Sequence, residues 1–279
     1  MKWNSKFNWG RAMRPAFIVF LTFATGLTSH PIPLAPAASV PRGEDVLHRV
    51  NARPRGKASL MHLEMIIHDA RRGEFHKTIV MQRKGFGSGY RTVYRITAPD
   101  HEKGIRLLIS EDDNQRGIWM YFPSTKQVIP VVSRGFPAMA SDFNCEDMMV
   151  GVRLADYEFR VLGKDLLEGH EAVKVEMKPR TERLRSELGF FKSIGWVRED
   201  LSMIVRADYY DDAGALFKTF RAGDIERRQG IWTAKKMEME NFRAHHASEV
   251  RVLDTDYSIR FTDAPFIPKL MVPGVDPPT

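Results

Sequence analysis

One cysteine, Cys145, stands in the whole chain. A lone thiol closes no internal disulfide. As a nucleophile it would need a base and an orienting group, which no motif supplies, so it is expected to be a buried thiol on a helix face. Catalytic signatures are missing too: the chain has no HExxH, no GxSxG, no P-loop and no paired CxxC. The histidines are scattered. His62 and His68 share a strand face by parity, but about 20 Å of strand separates them, too far to share a metal. His245 and His246 fall in a predicted turn. Glu146 and Asp147 are neighbours in a predicted helix, and adjacent helical residues do not face each other as an acid and base would. No catalytic residue, metal ligand or cofactor is expected, and the chain is read as a non-enzyme.

Long apolar runs are scarce. The longest near the start, residues 16–27, spans 12 residues, where a bilayer-crossing helix needs about 20. Lys2, Lys6, Arg11 and Arg14 precede it, and Ala35-Pro36-Ala37 offers a small-x-small cleavage site. Residues 1–37 therefore read as a secretory signal peptide, and no cysteine follows that could carry an N-terminal lipid. Clustered basic charge is also lacking. Four of the 42 basic residues and none of the 35 acidic ones lie in residues 1–37, leaving 38 against 35, a net charge of +3. Arg180, Arg183 and Arg185 come nearest to a basic face, and Glu182 and Glu187 interrupt them, so no nucleic-acid partner is expected. No linker, repeat or low-complexity stretch divides the middle. The expectation is one domain over residues 38–265 and a loosely ordered, Pro-rich tail over 266–279.

What the sequence does have is alternation. After a short predicted helix at residues 44–52, stopped by Pro54 and Gly56, the hydrophobic period switches to two. Met61, Leu63, Met65 and Ile67 alternate with His62, Glu64 and His68. Turn signals recur at hairpin spacing, and about thirteen strands can be counted. Residues 179–188 read as a charged loop. Sheets this wide curl, close or are capped. The fold class expected is mainly β: a half-open antiparallel β-barrel, in effect one wide curved sheet, with short helices and loops covering an apolar cavity. Residues 142–150, with Ser141 or Asp142 as cap and acidic first turns, are predicted to form the covering helix.

Apolar matter is in excess, with 14 Met and 17 Phe in the chain. Methionine is unbranched and adapts to varied apolar partners. Phe136, Met139, Phe143, Met148, Met149, Phe190 and Phe191 lie in loops or element ends, where a plain β-sandwich would place polar residues.

At these residues a family pattern appears. Trp119-Met-Tyr-Phe-Pro123, followed by Ser141-Asp-Phe-Asn-Cys-Glu-Asp147, resembles the outer-membrane lipoprotein-sorting protein family (LolA-like), where W-x-Y-x-P precedes S-D-F-S-Y-E-D-L. Trp196-Val197, the run Tyr209–Gly214 and the run Trp232–Asn241 extend the likeness over about residues 45 to 265. Asn144, Cys145, Met148 and Ala140 depart from the pattern. The resemblance implies a periplasmic carrier that binds lipid, or the acyl chains of lipoproteins, in an apolar cavity and moves them between envelope membranes. An inner-membrane exporter of the RND/MMPL type and an outer-membrane acceptor are the partners it implies, and the chain is expected to be a monomer. The alternative is a periplasmic sensor or adaptor of the same fold that binds a membrane protein; a lipid hydrolase is weaker, for want of a nucleophile–base pair. The cavity and lid residues expected are Trp119, Tyr121, Phe136, Met139, Phe143, Met148, Met149, Phe190 and Phe191. The choice of Trp119 and Tyr121 over Met120 and Phe122 rests on the family pattern.

Overall fold

The computed structural model describes residues 42–112 and 116–271. The expected signal, residues 1–37, lies outside the described residues, as do residues 272–279 of the expected tail.

The first described element is helix α1 (Gly43–Ala52), which carries Glu44 and Asp45 in its first turn and buries Val46, Leu47 and Val50. Six strands follow: β1 (Ala58–Asp69), β2 (Gly73–Phe86), β3 (Gly89–Ala98), β4 (Arg106–Ser110), β5 (Gly117–Phe122) and β6 (Gln127–Pro130). Pro123 has no N–H to give a ladder, and β5 stops at the residue before it. After a long connection come β7 (Tyr157–Leu167) and β8 (His170–Pro179), helix α2 (Glu182–Leu188), and then β9 (Lys192–Arg198), β10 (Met203–Tyr210), β11 (Leu216–Arg228), β12 (Ile231–Asn241) and β13 (His246–Asp256).

The thirteen strands form one sheet in the order β6-β5-β4-β3-β2-β1-β13-β12-β11-β10-β9-β8-β7. All paired neighbours are antiparallel, and β1 against β13 is the pairing that joins the two halves of the chain. The edges are β6 and β7, so the sheet is open. It is strongly curled. A single cavity is lined by Tyr94 of β3 and Met177 of β8, which stand eight strand spacings apart, roughly 38 Å if the sheet were flat. The right-handed twist of successive strands, summed over so wide a sheet, brings the two regions together.

The connection between the edge strands, residues 131–156, is the lid. It packs on the inner face, where Met61, Leu63, Met65, Ile79, Met81, Ile109 and Met120 meet Ala138, Met139, Phe143 and Cys145 in one core cluster. The sequence predicts a helix at residues 142–150, and the structure corrects this. The lid folds back on itself by backbone bonds, Ala138 N–H to Phe143 O at 2.7 Å and Cys145 N–H to Phe136 O at 2.9 Å, and continues in turns. The acidic side chains expected to cap a first turn reach across to the sheet instead, so tertiary contacts outweigh local helix signals.

Two further corrections concern short elements. Residues 182–188 form a helix rather than a loop. The Thr181 side chain accepts from Leu184 N–H, and Gly189 closes the last turn in the left-handed region at φ 78°. The stretch read as a loose tail is packed through Met271: Phe266 and Met271 are fully buried on the outer face with Val93, Leu108 and Tyr121.

Candidate functional site

Two hollows lie under and beside the lid. The inner one, about 340 Å³, lies between the sheet and the lid and is partly open to solvent. The sheet contributes Met61, Met81, Phe220, Met237 and Val250, and the lid contributes Phe143, Met148 and Met149. The outer one is a wider cleft of about 890 Å³ at the other side of the lid, lined by Ile96, Ile105, Met120, Phe122, Phe136 and Met139, with Lys77, Glu102 and Lys218 at its polar margin. Phe190 and Tyr209 touch both hollows, and their rings stack edge to face with centroids 5.2 Å apart. Each volume falls within the range of small-molecule sites, about 300–1,000 Å³.

Strand alternation explains which side chains reach these hollows. On β1 to β5 the odd-numbered residues of β1 and β2 face inward, as do Tyr94, Ile96, Leu107, Ile109, Ile118 and Met120. Trp119 and Tyr121 must then face outward, and they do. Both belong to the outer cluster with Val93, Leu108, Phe261 and Phe266. The expectation that Trp119 and Tyr121 line the cavity is therefore reversed: Met120 and Phe122 hold that position. Phe191 also lies outside both hollows, its ring facing the Lys178 ammonium at 4.8 Å and the Arg185 guanidinium at 5.5 Å. The structure brings Phe136, Met139, Phe143, Met148, Met149 and Phe190 to the walls of the two hollows.

The lid is held by polar side chains as well as by packing. Asp147 accepts from Tyr209 OH at 2.8 Å and from Lys218 Nζ at 2.8 Å. Lys77 Nζ donates to the Met139 carbonyl at 2.8 Å and pairs with Glu102 at 2.6 Å. Asp142 Oδ2 accepts from Ser248 Oγ at 2.7 Å and lies 2.9 Å from His246 Nδ1. Near the lid's end, Glu111 accepts the N–H groups of Val150 and Gly151 at 2.8 and 3.1 Å, and Asn51 bonds both backbone groups of Val152. Arg134 ties the lid's start to Glu146, Asp156 and Glu187 at 3.0, 2.9 and 3.2 Å.

These partners were only partly readable in advance. Glu146 and Asp147 attracted notice as a conceivable acid–base pair. In the folded chain they diverge, Glu146 to Tyr157 OH at 2.8 Å and Asp147 to Tyr209 and Lys218. Tyr209 stands out only as the start of a family-like run and Lys218 not at all, because their partner lies 62 and 71 residues away. Burial pushes the carboxyls of Glu111 and Glu146 above their ordinary range, and it pushes the Cys145 thiol up to about 12. Cys145 is fully buried in the lid, and a protonated, enclosed thiol is a poor nucleophile. Among the described residues, no group of three or more His, Cys, Asp or Glu is arranged to hold a metal ion.

Comparison with solved structures gives the architecture relatives. An outer membrane lipoprotein-sorting protein domain from Vibrio parahaemolyticus superposes with a TM-score of 0.75 at 21% identity, covering 82% of this chain and 97% of that one. A DUF1329 family protein from Desulfovibrio piger gives 0.73 at 22% identity, covering 81% of this chain and 95% of that one. A LolA superfamily protein from Nitrosomonas europaea gives 0.64 at 17% identity, covering 82% of this chain and 98% of that one. No curated protein matches the chain. A family model described as "uncharacterized protein" matches residues 89–271, which hold β3 to β13, the lid and the buried stretch up to Met271. The chain belongs to that family, and its fold is the half-open curved sheet of the lipoprotein-sorting, LolA-like proteins.

Proposed function

We propose that the chain is a periplasmic carrier that binds lipid, or the acyl chains of lipoproteins, between the inner face of the sheet and the lid. The observation that carries this reading is the hollow between sheet and lid whose walls are largely methionine, phenylalanine and branched aliphatic side chains from both. Each methylene taken out of water is worth about 0.8 kcal/mol. A 16-carbon chain then amounts to roughly 12 kcal/mol, which keeps it from crossing an aqueous compartment bare. Walls rich in methionine can fit chains of differing length and kinks. The signal-like leader supports export, and the fold supports a role in lipid traffic between envelope membranes. In that role an inner-membrane exporter of the RND/MMPL type would load the carrier and an outer-membrane acceptor would unload it.

The test is saturable binding of a fluorescent fatty acid to the exported chain, competed by unlabelled lysophospholipid. One site per chain is expected, and Met237→Arg, which places a charge in the inner hollow, should abolish it without changing the product recovered. Absence of saturable binding by the wild-type chain would overturn the carrier reading. Specific capture of an envelope membrane protein by that same empty chain would favour the sensor or adaptor reading in its place.

A further inference from the structure

At the end of the inner hollow where β1 begins, three guanidinium groups converge. Arg53 and Arg55 follow the C-terminus of α1, and Arg83 projects inward from β2; all three line the hollow. None has a carboxylate partner among the described residues. Their hydrogen bonds run to backbone carbonyls: Arg53 to Trp232 O at 3.1 Å, Arg83 to Arg55 O at 3.0 Å, and Arg55 to Val50 O at 2.6 Å and to Asn51 O. Carbonyl partners orient a guanidinium without neutralising it. A purely structural role fits part of this, since Arg55 caps the carbonyls at the end of α1. It does not explain why Arg53 and Arg83 are added beside it.

The surroundings sharpen the point. Arg55 is only 5% exposed, and the Nε–H groups of Arg55 and Arg83 are buried with no hydrogen-bond partner. Ser59 and Thr92 stand directly opposite Arg83 on the two neighbouring strands, and their buried hydroxyls also lack a partner. Burial, and then the charges of Arg53 and Arg83, push the Arg55 guanidinium down to about 10. The carboxylate nearest in influence is Glu111, whose two oxygens already hold lid N–H groups. Arg55 is buried and Arg53 and Arg83 are half-buried; a buried charge without a counterion is costly, and the unpaired Nε–H donors of Arg55 and Arg83 mark a place where an anion completes the structure. Planar guanidinium forks match carboxylate and phosphate oxygens.

We propose that Arg53, Arg55 and Arg83 form the headgroup subsite of the inner hollow, so that its ligand is an anionic amphiphile with its phosphate or carboxylate on the arginines and its chain along the methionine-lined wall. This rests on the carrier reading and narrows it to one class of cargo.

The test compares three probes on the full chain by calorimetry: hexadecyl phosphate, hexadecanol and inorganic phosphate. Hexadecyl phosphate should bind about tenfold or more tightly than hexadecanol, the effect of one charge-assisted hydrogen bond, and inorganic phosphate should bind far more weakly. Arg83→Met and Arg53→Met should each remove most of that preference while leaving hexadecanol affinity within about threefold, and Arg83→Lys should restore part of it. Arg55 is left intact because it caps α1. Equal binding of hexadecyl phosphate and hexadecanol by the wild-type chain would overturn the headgroup site and leave the carrier reading standing. Equal loss of both probes in the two Met variants would do the same. Inorganic phosphate binding as tightly as hexadecyl phosphate would make this a free-anion site and overturn the amphiphile. Failure of both long-chain probes to bind would remove the carrier reading itself.

Discussion

Cys145 shows how a single residue can be right in kind and different in setting. Burial was legible from a lone thiol that no motif equips as a nucleophile; the helix face was not, because the lid turns where a helix was expected. Its thiol lies wholly inside the inner cluster and is pushed up to about 12 by burial, with the nearby Asp147 and Glu146 charges adding to the effect. Alkylation by iodoacetamide at pH 8 is therefore expected to be slow in the native chain and to reach the free-thiol rate only in denaturant. Rapid native labelling would mean that the lid is open most of the time. Trp119 and Tyr121 teach a different lesson about single residues. Both faces of β4 and β5 are covered, the inner by Met139 and its neighbours and the outer by Phe261, Phe266 and Met271. A strand buried on both sides loses the polar alternation that tells inside from outside. Parity there could be settled only by residues 261–271 folding back over the outer face, which no local pattern announces.

Among the elements, the lid depends most on distant partners. Asp147 and Lys218 are buried together, with side chains 7% and 5% exposed. Removing one partner of a buried pair leaves an uncompensated charge, at a cost of about 3–5 kcal/mol. Lys218→Met is expected to lower unfolding stability by that order and to speed amide exchange at residues 142–150 before the rest of the chain. The double variant Asp147→Leu with Lys218→Met should recover most of the loss. The lid also carries a pH dependence. Burial raises Glu111 and Glu146 above the ordinary value of 4.5, against the opposing hydrogen bonds from Val150 and Gly151 and the charge of Arg134. Folding thus favours their protonated forms. That stabilisation is complete below the ordinary carboxylate value and is lost as pH rises through the raised one. Glu111→Gln should accordingly gain stability relative to wild type as pH rises above about 4.5, measured by denaturant unfolding at a series of pH values; a difference independent of pH would contradict the assignment. Helix α2 escaped notice because five of its seven residues are charged or polar and only Leu184 and Leu188 mark an apolar side, although Thr181 and Gly189 bracket it with ordinary cap chemistry.

For the molecule as a whole, the wide antiparallel sheet and its curl were readable. Period-two alternation, hairpin-spaced turns and the sheer number of strands leave few other solutions. The covered cavity was readable in outline, through the aromatic and methionine residues placed where loops are usually polar. The arginines at its end were not, because Arg53, Arg55 and Arg83 meet only when β2 packs beside the end of α1. The central claim is that the inner hollow carries a long-chain ligand. Native mass spectrometry of the full chain, followed by lipid extraction, tests this. The expected mass exceeds that of the chain by one long-chain, negatively charged amphiphile, released on denaturation and absent from Met237→Arg. A bare chain mass that stays bare after incubation with added lipid would contradict it.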